Sequence, residues 1–148
     1  MSKPYILLIE DNADDIDLTR RAFEKNHIAN DVVVVRDGAQ ACEFLFGEQR
    51  SVASGYPALI LLDLNLPKIS GLEVLQRIRA TEATRLLPTV ILTSSKQDED
   101  LIQGYRLGVN SYVRKPVDFN EFVEAVRQVG LYWLVLNEPP PGAGGGGM

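Results

Sequence analysis

One cysteine, one histidine and one tryptophan are all that 148 residues supply of these types. A lone thiol, Cys42, closes no internal disulfide, so the core alone has to hold the fold, as suits a reducing compartment. Cys42 reads as a small buried residue on a helix. With His27 the sole imidazole, the chain lacks the ligand cluster of a zinc site and the base of a His-dependent nucleophile. His27 follows Asn26 at the end of the first expected helix, where a partial positive charge suits the helix dipole. Basic runs are missing as well. A formal net charge of -5 and a pI near 4.9 exclude a surface built to neutralise nucleic-acid phosphates. The longest apolar runs, Ala58 to Leu62 and Leu131 to Leu136, fall far short of a bilayer span. Met1-Ser-Lys-Pro leads straight into a strand-like segment rather than an apolar signal core. Neither nucleic acid nor membrane is expected as a partner, and the expected location is cytoplasmic.

What the chain does have is 45% hydrophobic and 24% charged residues, the balance of one ordinary domain. Short β-branched or leucine-rich runs recur at Tyr5 to Ile9, Val32 to Val35, Leu59 to Leu62, Thr89 to Leu92 and Ser111 to Val113. Helical spacing lies between them: Ile16, Thr19, Ala22 and Phe23 share one face early, and Phe119, Phe122, Val123 and Val126 share one late. Strands apolar on both sides that alternate with helices predict an α/β fold, a parallel sheet covered on both faces, with right-handed crossovers. Asp11 or Asn12 can cap a helix from Ala13, Asp37-Gly38 turns out of the second strand, and Ser70-Gly71 opens the third helix. Phe46 to Pro57 is expected to be a surface loop. From Glu138 onward, Pro-Pro-Pro-Gly-Ala-Gly-Gly-Gly-Gly has little to bury, so 137–148 reads as a flexible tail rather than a phosphate loop.

The stretch Ala58-Leu-Ile-Leu-Leu-Asp63 poses the functional question, because a carboxylate ending an apolar run is costly without a compensating charge. Glu10-Asp11 ends the first strand, Asp63 the third, Thr93-Ser94 the fourth and Lys115-Pro116 the fifth, all at the sheet edge where ligands bind in open parallel sheets. Glu10, Asp11 and Asp63 are hard oxygen donors whose mutual repulsion calls for a cation, and Mg2+ suits them. A carboxylate can attack phosphorus and form an acyl phosphate. Asp63 is then the phosphoacceptor, with Lys115 neutralising phosphoryl oxygens and Thr93 donating a hydrogen bond.

These residues resemble the receiver domain of two-component response regulators: Leu8-Ile9-Glu10-Asp11-Asn12, Leu61-Leu62-Asp63-Leu64-Asn65-Leu66-Pro67 with Gly71, Ile91-Leu92-Thr93-Ser94-Ser95, and Tyr112-Val113-Arg114-Lys115-Pro116. The resemblance runs from about Tyr5 to Trp133. It implies a flavodoxin-like five-stranded sheet in the order 2-1-3-4-5, which spacing alone does not yield. It implies a receiver domain over 1–136 ending in an extended helix or arm, and phosphorylation of Asp63 by a partner histidine kinase. Mg2+ is then held by Asp11, Asp63 and the backbone carbonyl of Asn65, with Glu10 acting through a metal-bound water. Thr93 and Tyr112 match the switch pair, and Lys115 the phosphate-contacting lysine, before a peptide bond that is cis in the family. Glu10 departs from the aspartate of many members and lengthens the arm toward the metal.

The Phe46 to Pro57 loop, Leu64-Asn65-Leu66-Pro67, Thr93-Ser94-Ser95 and Tyr132-Trp133-Leu134 resemble the stand-alone regulators that accompany bacterial phytochromes. That implies a light-regulated kinase and a homodimer through the fourth and fifth helices, the last strand and the C-terminal segment. Leu131 to Leu136 is apolar all round and needs a cover, which a two-fold partner supplies. A competing reading is a Mg2+-dependent phosphohydrolase with an aspartate nucleophile. Such enzymes carry a second acid two residues on, where this chain has Asn65. A third is a degenerate receiver that binds its partner without phosphate. The switch, not a turnover enzyme, is the expected function.

Overall fold

Every side chain of β1 (Tyr5–Ile9) is buried. Successive residues point to opposite faces of a strand, so a run of this kind must be covered on both sides. Leu7 and Ile9 enter one apolar cluster while Ile6 and Leu8 enter another. The same division repeats in β3 (Leu59–Leu62), where Ile60 and Leu62 go one way and Leu59 and Leu61 the other. The computed structural model describes residues 5–28, 30–47, 55–93, 103, 105–114 and 119–131.

With β2 (Asp31–Val35), β4 (Thr89–Thr93) and β5 (Ser111–Arg114), these strands form one five-stranded parallel sheet in the order β2-β1-β3-β4-β5, as the resemblance implies. Three strands run one residue past their expected limits, because the ladders pair Tyr5 with Asp31 and Thr93 with Arg114. The helices are α1 (Ala13–Lys25), α2 (Gly38–Phe46), α3 (Gly71–Ala80) and α4 (Phe119–Leu131). Here α4 is the helix expected as fifth. The one expected between β4 and β5 lies mostly outside the described residues, although Gln103, Tyr105 and Arg106 are helical.

Buried Val74, Leu75 and Ile78 of α3 and Ala41 and Leu45 of α2 fill one cluster. Ala22 and Phe23 of α1 and Phe122 and Val126 of α4 fill the other. Ile16, Thr19, Ala22 and Phe23 of the early expected face and Phe122, Val123 and Val126 of the late one therefore point inward, each large side chain that is fully buried contributing about 1.5–3 kcal/mol. Asn26 ties the two helices of that face together, its Nδ2 donating to Ala22 O at 2.9 Å and Val123 O at 3.0 Å. Cys42 is a buried free thiol, as expected. Phe46 belongs to α2 rather than to the following loop, whose far end is fixed where Tyr5 Oη donates to Gly55 O at 2.9 Å.

Side-chain caps start three helices, α1 and α3 at expected helix starts and α2 where only a turn is expected. Asn12 accepts from Asp15 N–H, Asp37 from Gln40 N–H and Ser70 from Glu73 N–H. His27 does end the first helix, but through its backbone. At φ 58° it occupies the left-handed position after the cap, donating its N–H to Glu24 O while Ile28 N–H donates to Phe23 O, both at 3.0 Å. That is a Schellman closure, with Ile28 packed on the same cluster as Phe23. Among the described residues no helix is long and apolar enough to cross a membrane. The segment from Tyr132 to Leu136 and the 137–148 tail lie outside the described residues.

Candidate acidic site

Register brings the acids together. Ile9 pairs with Leu62, so Glu10 and Asp63 are the next residues on adjacent strands. Their backbones continue the ladders: Glu10 N–H donates to Val35 O and Asp63 N–H to Ile9 O, each at 3.0 Å. By alternation both belong to the face of Leu8 and Leu61, the side on which α1 packs. Glu10 is 2% exposed and Asp63 5%. Asp11, exposed, begins the turn into α1.

Each of Glu10, Asp11 and Asp63 offers one carboxylate oxygen, and these oxygens lie within 4.8 Å of one another. Backbone amides hold two of the carboxylates. Asn12 N–H donates to Glu10 Oε2 at 3.3 Å, and Asn65 N–H to Asp63 Oδ1 at 3.2 Å. Three acids gathered at such range, two of them buried, favour a positive charge among them. An all-oxygen donor set fits a hard divalent cation, so the residues present suit the metal that the resemblance implies. Asn65 is itself exposed, and its amide contact with Asp63 is the role the structure gives it.

The remaining site residues divide by position. Thr93 ends β4, the strand beside the one that Asp63 follows, opposite Arg114, whereas Tyr112 lies opposite Ile91 within β5, one strand further out. Their side chains, and the whole of Lys115-Pro116 and Ser94-Ser95, lie outside what is described.

The structure adds residues that sequence reasoning misses. The sequence marks Asp37 only as a turn, yet its carboxylate both caps α2 and meets Lys68 Nζ at 3.5 Å, joining α2 to the loop after Asp63. An Asp-Gly pair at the sheet edge that carries the acids is the available signal. The Gln40 backbone amide holds the Asp37 carboxyl below the ordinary carboxylate value, with the Lys68 charge adding to it and partial desolvation opposing it. A depressed folded value gives stability that is present above the unfolded pKa, near 4, and is lost as pH falls through the folded one. Asp37→Asn keeps a cap but no charge. Its urea midpoint is therefore expected below that of the natural protein at neutral pH, the two converging in acid. A constant gap from pH 7 to pH 3 contradicts the assignment.

The response regulator receiver domain family matches residues 6–127. Among curated relatives, the probable methanogenesis regulatory protein FilR2 of Methanothrix harundinacea is 41% identical over 138 residues, covering 91% of this chain and 86% of its own. Response regulator Rcp1 of Synechocystis is 36% identical over 129 residues, covering 87% of this chain and 88% of its own. The crystal structure of the Mn(2+)-bound form of Rcp1 matches with a TM-score of 0.83 at 35% identity, over 93% of this chain and 99% of that one. The phosphorylated cyanobacterial phytochrome response regulator RcpA gives a TM-score of 0.86 at 35% identity, over 94% and 99%. The bacteriophytochrome response regulator RtBRR is 51% identical with a TM-score of 0.72, over 97% of this chain and 87% of that one. With the family matched over most of its length and the sheet order that family implies, the chain belongs to the response regulator receiver domains of two-component signalling.

Proposed function

We propose that Asp63 accepts a phosphoryl group from the phosphohistidine of a partner kinase and that the acyl phosphate switches the surface through which the protein signals. The observation that carries this reading is the gathering of Glu10, Asp11 and Asp63 oxygens within 4.8 Å, with Asp63 buried at a strand end. In the step itself an Asp63 carboxylate oxygen forms a bond to phosphorus as the phosphorus–nitrogen bond of the donor breaks, and the electron pair of that bond leaves with the imidazole, which takes up a proton. The Asn65 amide orients the carboxylate through Oδ1, and the strand end keeps it largely from water. Glu10, Asp11, Asp63 and Asn65 would hold Mg2+, which would supply positive charge for the phosphoryl oxygens. Thr93 and Lys115 are the further phosphoryl partners and Tyr112 the switch aromatic, as the family resemblance implies.

RcpA and RtBRR carry phytochrome and bacteriophytochrome in their names, which supports a light-regulated kinase as donor. A two-fold dimer through the helix before β5, α4, β5 and the apolar stretch to Leu136 belongs to the same reading, as do a receiver over 1–136, a tail over 137–148 and a cytoplasmic site of action. A phosphohydrolase needs a second acid to protonate a leaving group, and Asn65 stands in that place.

Native mass spectrometry after incubation with acetyl phosphate and Mg2+ tests the reading. The natural chain is expected to gain one phosphate and Asp63→Asn to lose at least about nine-tenths of that adduct, as removal of the attacking group requires. Equal adducts in both proteins remove Asp63 from the role. In the same spectra a mass of one chain at every concentration, with and without phosphate, removes the dimer.

A further inference from the structure

The loop that follows Asp63 is shaped by short turns rather than by a ladder. Leu66 N–H donates to Leu64 O at 3.1 Å, Ile69 N–H to Pro67 O at 2.9 Å, and Gly71 N–H to Leu64 O at 3.1 Å. The Ile69 to Pro67 bond spans a single residue, Lys68, whose φ is 70°. A hydrogen bond across one residue of positive φ is the strained form of γ-turn, rarely held by an L side chain. Some outside contact has to maintain it.

The first turn of α2 provides that contact. Gly38 N–H donates to the same Pro67 carbonyl at 3.2 Å. Gly38 also approaches so closely that a Cβ there would lie 2.0 Å from Ile69 O. Asp37 Oδ1 accepts from Gln40 N–H at 2.7 Å, while its Oδ2 lies 3.5 Å from Lys68 Nζ. The Asp37 side chain is only 10% exposed, so a single carboxylate, fixed by the helix it caps, reaches out to the residue at the centre of the strained turn.

We propose that Lys68, latched by Asp37, is a positioning residue for the phosphoacceptor: the α2 turn holds the γ-turn, and the γ-turn holds the Asn65 amide against Asp63 Oδ1. The inference rests on the reading of Asp63 as phosphoacceptor but adds a residue pair outside the acidic cluster. It also makes α2 part of the apparatus that sets the acceptor carboxylate, and it gives a reason for a lysine at a backbone position that glycine would hold with less strain.

Two readouts on the full chain separate positioning from general stability. The first is hydrogen–deuterium exchange of the 64–69 segment without metal, and the second is the rate of acyl phosphate formation from acetyl phosphate with Mg2+. Lys68→Val, whose branched side chain resists positive φ, is expected to speed exchange about fivefold and slow phosphorylation by about the same factor. Asp37→Asn, which preserves the cap, and Lys68→Gly, which relaxes the backbone but drops the charge, are expected to shift both readouts by about two- to threefold. Lys68→Arg restores them. Should Lys68→Val fail to fold, the Asp37→Asn arm decides. The proposal is overturned if Asp37→Asn leaves both exchange in 64–69 and phosphorylation unchanged. A natural chain that forms no Asp63 adduct instead sinks the phosphoacceptor reading, and the exchange arm still tests the latch.

Discussion

Gly71→Ala is expected to cost about 3 kcal/mol of folding stability and to slow phosphorylation of Asp63 by about 100-fold in the molecules that remain folded. The position leaves no room for a methyl group. A Cβ on Gly71 would lie 2.3 Å from Asp63 O, 2.6 Å from Leu64 Cα and 3.0 Å from Asp63 C. All three are backbone atoms, so no side chain can swing aside to relieve the contact. Either α3 retreats or the strand end carrying the acceptor moves. Retreat is opposed by Val74, Leu75 and Ile78, which anchor the helix in the core. Movement at Asp63 strains its N–H bond to Ile9 O and the Asn65 amide bond to Oδ1. Loss is shared between the two, which is why both stability and reaction should suffer. Urea unfolding followed by circular dichroism measures the first, and the acetyl phosphate adduct at a temperature well below the transition measures the second. A variant that melts with the natural protein and phosphorylates at its rate shows that α3 slides at little cost and that the close approach is incidental.

That glycine illustrates how far the sequence can be read. A Gly after Leu64-Asn65-Leu66-Pro67 marks a helix start from sequence alone, but what it must avoid is a carbonyl eight residues earlier, and such proximity is a property of the folded chain. The sheet is legible because its strands are short, β-branched or leucine-rich and apolar on both sides, leaving a parallel, doubly covered sheet as the arrangement that hides them. Strand ends are legible too, since Glu10 and Asp63 each interrupt an apolar run abruptly. Their adjacency depends on the order of strands, which periodicity does not encode and the resemblance to the receiver family supplies. The Asp37–Lys68 contact is hidden for a different reason. Nothing in the chain marks Lys68 as a residue of positive φ, because a lysine there looks like any solvated loop lysine until the γ-turn is seen. His27 shows the same limit: its charge suggests a dipole interaction, whereas its backbone angle closes the helix.

Arg79→Leu is expected to remove about 3 kcal/mol of stability while leaving phosphorylation per folded molecule unchanged. Arg79 is half-buried near the end of α3, and its guanidinium faces neutral acceptors. Nε donates to Gly108 O at 2.9 Å, one terminal nitrogen to Arg85 O at 3.1 Å and Leu87 O at 2.9 Å, and the other to Asn110 Oδ1 at 3.0 Å. These acceptors precede β4 and β5, at the end of the sheet opposite Asp63. Asn110 extends the link by accepting Thr89 N–H on the same Oδ1 at 2.8 Å and donating its N–H to Thr89 O at 2.9 Å. One planar cation thus fastens a helix end to the entrances of two strands, and burial lowers its pKa without neutralising it. A charged hydrogen bond is worth about 1.5–3 kcal/mol, but bonds sharing one group do not add, and the exposed Arg85 and Gly108 segments can turn to water when the cation leaves. Leucine keeps the apolar stem, so the measured loss isolates the guanidinium. Arg79→Lys should recover less than half of it, because a single ammonium cannot match a fork that reaches four acceptors. Urea midpoints of the three proteins decide the matter. If lysine restores the full value, a positive charge near the helix end suffices; if leucine costs under about 0.5 kcal/mol, as surface substitutions do, the fork holds nothing that water does not replace.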